Sequence, residues 1–532
     1  MNGSSVNSKG GRASRRAFLA GVTAACAVPA TQPFGQTATP TSPLPSSERS
    51  KWYRTAGEQV ADLANRRVSA VELLDQAIAR IESLDKSINA VVVRDFDRAR
   101  RAAIAADQAL ARGERRPLLG LPMTVKESYN VAGLPTTWGF PASKDFRPAE
   151  DAVVVERLKA AGAVIIGKTN VPVALADWQS TNPIYGTTNN PYDIERTPGG
   201  SSGGSAAALA AGYVALEAGS DIGGSLRTPA AYCGVVGHKP SYGIVPSRGQ
   251  SFPGLPALPS AGDGLSVVGP MARSASDIAL ALEVIAGPDE LRDGVAWRLV
   301  LPRPRHRALA DFRVLLIDSH PIGATAEVIR TALAQLGDRL AKAGATVARQ
   351  SPLLPDLGEA TRNYMHLLGP VLQQGRPPAY YEQIRSIAAT MSPDDQSLDA
   401  IYFRGANLGW RDWQAANNVR TRLQSQWATL FRQWDVVLCP AMPTVAFKHD
   451  HAAMSARRLV VDGQSQPYTN HIMWAGPATA AGLPATVAPI ARTDTGLPIG
   501  VQIIGPSLED ATPIQFAQLL ERTFGGFVPP VL

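Results

Sequence analysis

The sequence predicts an α/β protein whose sheet is covered by helices and interrupted by a mainly helical insertion, and three observations predict it. Short apolar runs alternate with helical patterns: Val153 to Ala160 reads as a helix, Ala163 to Ile166 as a buried strand, and Ala206 to Ala211 as a small-residue helix. Strand character returns late, at Pro484 to Ile490 and Gly496 to Gly505, before a closing helix at Pro513 to Phe524. The 532 residues, 45% of them hydrophobic, suffice to bury a large core, as one large domain with an insertion or as two domains.

From the N-terminus, Ser14-Arg15-Arg16-Ala17-Phe18-Leu19 and the Ala-rich run to Ala30 resemble a twin-arginine export signal. Residues 1–30 are therefore expected to be a signal peptide and the mature protein to be periplasmic or secreted. The run is too short and too Ala-rich for a membrane span of about 20 residues. Thr23 stands where lipidation of Cys26 would call for a larger aliphatic residue. Residues 31–50, rich in Thr, Pro, Ser and Gln, read as a flexible linker, with the folded part starting near Trp52. Of the net charge of +7, Lys9, Arg12, Arg15 and Arg16 lie in the leader, where residues 1–45 hold no acid. The remaining +3 makes no electrostatic case for a nucleic-acid partner.

Val71, Leu74, Ile78 and Ile81 recur at helical spacing from Ser69 to Leu84, and Ala102 to Leu110 continues in that style. A further strand is expected from Phe312. Residues 323–432 are helical in pattern, with breaks at Pro352 to Pro355 and at Pro377-Pro378, and read as a cap or insertion beside the sheet. Without the leader, Cys233 and Cys439 remain, each in an apolar stretch, which predicts small buried core residues rather than a disulfide framework. His449 and His451 lack a third zinc ligand nearby.

The densest chemical signal is Pro198-Gly199-Gly200-Ser201-Ser202-Gly203-Gly204-Ser205, followed after a short helix by Gly219-Ser220-Asp221-Ile222-Gly223-Gly224-Ser225-Leu226-Arg227. Glycines allow close backbone approach, and consecutive N–H groups in such loops can converge on an anion. A phosphate cradle is disfavoured, because no Gly-Lys-Ser/Thr ending and no Gly-x-Gly-x-x-Gly after a strand is present. Gly200 to Gly204 also fits the Gly-x-Ser-x-Gly elbow, with Ser202 as nucleophile, but the polar, proline-ended segment from Tyr192 to Pro198 is no entering strand. Ser83 and Lys86 match Ser-x-x-Lys without that motif's partners. Lys126 stands in the otherwise apolar, strand-like run from Leu121; a lysine there either reaches solvent at a strand end or is buried to serve as a neutral base.

Together, Met-Thr-Val-Lys126, Gly-Gly-Ser-Ser-Gly-Gly and Gly-Ser-Asp-Ile-Gly-Gly-Ser-Leu-Arg resemble the amidase signature family. Arg196-Thr-Pro-Gly, Cys233-Gly-Val-Val-Gly-His-Lys-Pro, Gly269-Pro-Met-Ala-Arg and Gly496-Leu-Pro-Ile-Gly-Val-Gln extend the resemblance over most of the chain from about residue 52. It implies one domain over 51–532 with a large mixed sheet covered by helices on both faces. Its core motifs would lie in 118–275, the insertion in about 323–432 and the return to the sheet in about 433–532. It also implies an amidohydrolase with a Ser-Ser-Lys triad: Ser225 attacks the carbonyl, Ser201 relays the proton and Lys126 is the base. Ser201 would follow a cis peptide bond. Backbone N–H groups of Ile222, Gly223, Gly224 and Ser225 would form the oxyanion hole, with Ser202, Asp221 and Arg227 supporting the loop and His238 structural. Glu127 departs from the aspartate more usual after the lysine and is expected to affect packing more than chemistry. No metal or organic cofactor is required.

The expected partner is a small-molecule amide, with neither nucleic acid nor a stable membrane span; a homodimer stays open. An amidotransferase A-type subunit that releases ammonia from glutamine is the alternative within the family, and a non-catalytic periplasmic binding protein the alternative outside it. Trp138, Tyr185 and Trp178 stand as candidates for lining a pocket or for packing.

Overall fold

Twelve segments pair into one mixed sheet. In chain order they are β1 (Ala38–Pro40), β2 (Val91–Arg94), β3 (Pro122–Lys126), β4 (Val164–Thr169), β5 (Leu216–Asp221), β6 (Val236–Lys239), β7 (Val267–Ala272), β8 (Arg313–Leu316), β9 (Thr346–Ala348), β10 (Val436–Pro440), β11 (Ala485–Thr493) and β12 (Pro498–Ile504). Their spatial order is β9-β8-β10-β12-β11-β6-β7-β5-β3-β4-β2, with β1 joined antiparallel to β11. The pairs β9/β8, β8/β10, β5/β3 and β3/β4 are parallel and the others antiparallel. The computed structural model describes the backbone of residues 38–40, and residues 51–258 and 262–532. The leader expected over 1–30 lies outside the described residues, as does most of 31–50.

The inner strands β3 to β7, β10 and β12 are buried at every position, as befits a sheet covered on both faces. Successive side chains point to opposite faces, so one strand feeds two cores. Met123, Val125 and Ile165 join one core, with helices Val153–Ala160, Ala275–Ile285 and Ala511–Phe524. Val164 and Ile166 join the other, with helices Ala70–Ile88, Phe96–Ala111 and Gly203–Ala210. The predicted large mixed sheet with helices on both faces is the architecture found. Among the described residues no helix is long and apolar enough to cross a membrane.

Local sequence sets several boundaries. Ser69 caps helix Ala70–Ile88 through a capping box with Glu72, and Pro378 opens helix Pro378–Ala389. The expected insertion is not wholly helical. Within it β9 pairs with β8, and Leu333, Leu336 and Leu340 of helix Glu327–Lys342 join the core on one face of the sheet. The cap proper consists of helices Leu357–Gln373, Pro378–Ala389, Leu398–Gly405 and Trp410–Gln433. Its buried face, including Tyr364, Leu367, Leu368 and Ile401, packs with Ile472 and with half-buried Trp178 and Ile222. That packing sets the cap directly over the second glycine-serine loop.

Candidate active site

Lys126 closes β3, completely buried. Strand alternation turns it, with Thr124, away from the core of Met123 and Val125. Its Nζ lies 2.7 Å from Ser201 Oγ and 3.0 Å from Ser220 Oγ. Burial strips the ammonium of water and pushes its pKa down to about 7, although Asp221 and Glu217 pull the other way. Glu217, on the neighbouring β5, is itself pushed up to about 8 by burial, against hydrogen bonds that include Thr169 Oγ1 at 2.9 Å. Burial thus biases Glu217 toward its neutral form, which weakens its hold on the Lys126 proton.

The Gly200–Ser201 peptide is cis, as the resemblance implied. A Cβ on Gly200 would sit 2.3 Å from the Asp177 carbonyl oxygen, so the chain passes here only as glycine. Ser202 Oγ donates to the Ser220 carbonyl at 3.3 Å, and its N–H donates to the Ser225 carbonyl at 3.2 Å. Ser202 thus ties the two glycine-serine loops together, and no strand enters it from the preceding turn. Ser225 is nearly buried, at 6% exposure, just after Gly224, whose φ of 97° favours glycine. No hydrogen bond joins the Ser225 and Ser201 hydroxyls among the described residues; the formed contact is that of Ser201 with Lys126.

The second loop is built on a buried ion pair. Arg227 donates to Asp221 through Nη2 at 2.8 Å and Nε at 2.9 Å, and also to Ala475 O, Gln502 Oε1 and Thr479 Oγ1. Burial pushes the Asp221 carboxyl up, but Arg227 and the Gly224 N–H outweigh it and hold the pKa at about 2. Asp221 accepts from the N–H of Gly224 at 2.9 Å and of Leu226 at 3.0 Å. Of the expected oxyanion donors, the Gly224 N–H is the one already engaged, by Asp221 Oδ1. The N–H groups of Ile222, Gly223 and Ser225 have no acceptor among the described residues.

Other candidates find definite places. Trp178 donates from Nε1 to Gly223 O at 3.1 Å and stacks on His471. Trp138 and Tyr185 are tied instead to Glu127, which accepts from the N–H groups of Thr137 at 2.6 Å and Trp138 at 3.0 Å and from Tyr185 OH at 3.3 Å. Glu127 therefore organises the turn after β3. His238 is buried between Thr486 Oγ1 and Asp510 Oδ1, and Cys233 and Cys439 are free and buried. The rings of His449 and His451 stack at 5.8 Å. Sequence reasoning missed Ser220, although it lies inside a quoted motif, as well as Glu217 and Tyr364. Tyr364 OH donates to Ile222 O at 2.6 Å. A depression of about 680 Å³ lined by Arg305, Gln424, Phe431 and Glu509 contains none of these residues, so size alone does not locate the site.

Residues 72–513 match the family described as Amidase. The chain belongs to the amidase family. It is similar to the A-type subunit of the glutamyl-tRNA(Gln) amidotransferase of Anaeromyxobacter sp. (strain K), at 34% identity over 494 residues, covering 89% of this chain and 96% of that one. Among solved structures it resembles a bacterial aryl acylamidase of the amidase signature enzymes, with a TM-score of 0.74 and 25% identity, over 89% of this chain and 96% of the other. It also resembles the inhibitor-bound protein of a vestigial complex that bears on the origins of an s-triazine catabolic enzyme, with a TM-score of 0.74 and 30% identity, over 88% and 98%. The chain is accordingly an enzyme that hydrolyses amides.

Arg227 is the member of this amidase whose loss leaves a buried anion unpaired. Arg227→Met is expected to lower folding stability by about 3–5 kcal/mol, read as a fall in the urea midpoint at unchanged slope. A midpoint equal to that of the wild type would show that the pair does not carry the loop.

Proposed function

We propose that this amidase cleaves a carboxylic amide through a serine acyl-enzyme, with Ser225 as nucleophile, Ser201 as proton relay and Lys126 as base. The single observation that carries the reading is the 2.7 Å contact of a fully buried Lys126 with Ser201 Oγ. Near neutral pH a substantial fraction of Lys126 is uncharged, with a lone pair able to accept the Ser201 proton while Ser201 takes that of Ser225. Ser225 attacks the carbonyl, and the open N–H groups of Ile222, Gly223 and Ser225 receive the negative charge of the tetrahedral intermediate. The amine leaves with the proton returned through Ser201, and water releases the acid from the ester by the same route. The cycle calls on no metal or organic cofactor.

A second reading, an amidotransferase A-type subunit that acts on glutamine, is favoured by the similarity to the corresponding chain of the glutamyl-tRNA(Gln) amidotransferase. Against it stands the leader, Ser14 to Ala30, which supports export to the periplasm or beyond, away from a cytoplasmic complex. A pure binding protein is disfavoured because it has no use for a dehydrated lysine held on a serine.

Intact mass after a fluorophosphonate probe tests the triad. One adduct is expected on the wild type, none on Ser225→Ala, and labelling slowed about 100-fold or more in Lys126→Ala. Because only neutral Lys126 accepts a proton, the wild-type rate is expected to rise with pH through a midpoint near 7. An adduct that survives in Ser225→Ala but vanishes in Ser202→Ala would return the case to the elbow. Hydrolysis of anilides but not of glutamine by the purified chain would separate the two readings. For export, cell fractionation is expected to find the wild type outside the cytoplasm and an Arg15→Lys/Arg16→Lys variant retained inside it; equal distribution would remove the export reading.

A further inference from the structure

Gly223 presents a physical problem that its neighbours solve. Its N–H is one of the open donors of the second loop, yet glycine has no Cβ to restrict its own torsions. A side chain there would have to displace Ile472, whose Cδ1 lies 2.8 Å from where a Cβ would sit. With no side chain of its own, this donor takes its orientation from the groups bonded to the peptides on either side of it.

We infer that Tyr364 and Trp178 are positioning residues that clamp the carbonyls flanking Gly223 and so aim its N–H at the oxyanion formed on Ser225. The inference rests on the proposed role of Ser225 as nucleophile. In a trans peptide the carbonyl and the following N–H point in opposite directions. Tyr364 OH, 2.6 Å from Ile222 O, therefore fixes the direction of the Gly223 N–H. Trp178 Nε1, 3.1 Å from Gly223 O, fixes the next peptide plane, whose N–H is already bound by Asp221 Oδ1 at 2.9 Å. With both planes held, φ and ψ of Gly223 have nowhere to go.

The clamps are themselves held. Tyr364 is fully buried on helix Leu357–Gln373, and a Cβ on Gly476 would lie 3.2 Å from its Cδ1, so that turn leaves room for the ring by being glycine. Trp178 stacks on His471 at 5.1 Å and meets Tyr468 edge-on at 5.4 Å. Tyr468 OH in turn donates to Asp177 Oδ1 at 2.8 Å, and Arg457 pairs with the same carboxylate at 2.6 Å. The helical cap thus reaches into the chemistry of the sheet: one hydroxyl, 142 residues along the chain from Ile222, sets an oxyanion donor.

Tyr364→Phe keeps the ring and removes only the hydroxyl, so it isolates the clamp. Fluorophosphonate labelling of the full chain, followed by intact mass as a function of pH, is the measurement. The maximal rate is expected to fall about tenfold, short of the two to three decades typical of losing a donor outright. The adduct is expected to remain on Ser225 and the pH midpoint to remain near 7, since Lys126 is untouched. Trp178→Phe is expected to produce a fall of the same order, and carries the test if Tyr364→Phe lowers the melting temperature. With an anilide that the wild type hydrolyses, kcat is expected to fall with KM held. Wild-type labelling rates in both variants, or a moved pH midpoint, would overturn the inference while leaving Ser225 as nucleophile. An adduct that persists in Ser225→Ala would instead overturn the role of Ser225.

Discussion

Everything at this site depends on the removal of Lys126 from water. An ammonium is stable where it is hydrated or paired; here a strand end carries it into a closed interior where its nearest contacts are the two hydroxyls of Ser201 and Ser220. The sheet accepts that cost because neighbouring charges are arranged not to cancel it. Asp221 is committed to Arg227, and Glu217 is pushed toward its neutral form by the same burial. Lys168 and Lys239 are likewise buried and pushed down to about 8 and about 7, so this interior holds its amines near the boundary of protonation. Lys168 donates to Pro135 O and Thr136 Oγ1, and Lys239 to Pro240 O, which marks them as braces, whereas Lys126 touches serines.

The second requirement is a rigid surface of backbone donors beside the nucleophile, and a buried ion pair provides it. The side chains of Asp221 and Arg227 share two hydrogen bonds across the loop that runs from β5 to helix Arg227–Tyr232. Arg227 then reaches the turn around Ala475 and Gln502 of β12. The loop is therefore anchored to strands that lie several positions apart in the sheet, and its open N–H groups keep their direction without a ligand. Preorganisation of this kind counts because the donors need no reorientation when charge develops.

Much of this was legible in the sequence, for identifiable reasons. Val164 to Ile166 reads as a strand because it is an unbroken apolar run, and the last strand because Ile499, Val501 and Ile503 recur at every second position. β5 was hidden: Leu216–Asp221 contains Glu217, Ser220 and Asp221, all buried, and reads as the lead-in to a glycine-serine loop rather than as a central strand. The short edge strand β9 was lost inside a helical pattern for lack of length. At the site, Lys126, Ser201 and the loop around Ser225 stood out because glycine and serine cluster there at fixed spacing. The bond from the Gly224 N–H to Asp221 was not legible, because a motif does not show which N–H a neighbouring carboxylate meets. Tyr364 carried no signal at all: a tyrosine on an amphipathic helix reads as packing until the carbonyl it meets is known.

The central claim, that burial makes Lys126 a base, is tested most directly by following the Lys126 side chain itself. NMR of selectively labelled lysine side chains, with the Lys126 resonance identified by its absence in Lys126→Ala, would report its protonation as pH is varied. The account predicts a midpoint near 7. A Lys126 that stays protonated to the ordinary lysine value of about 10.4 would contradict it.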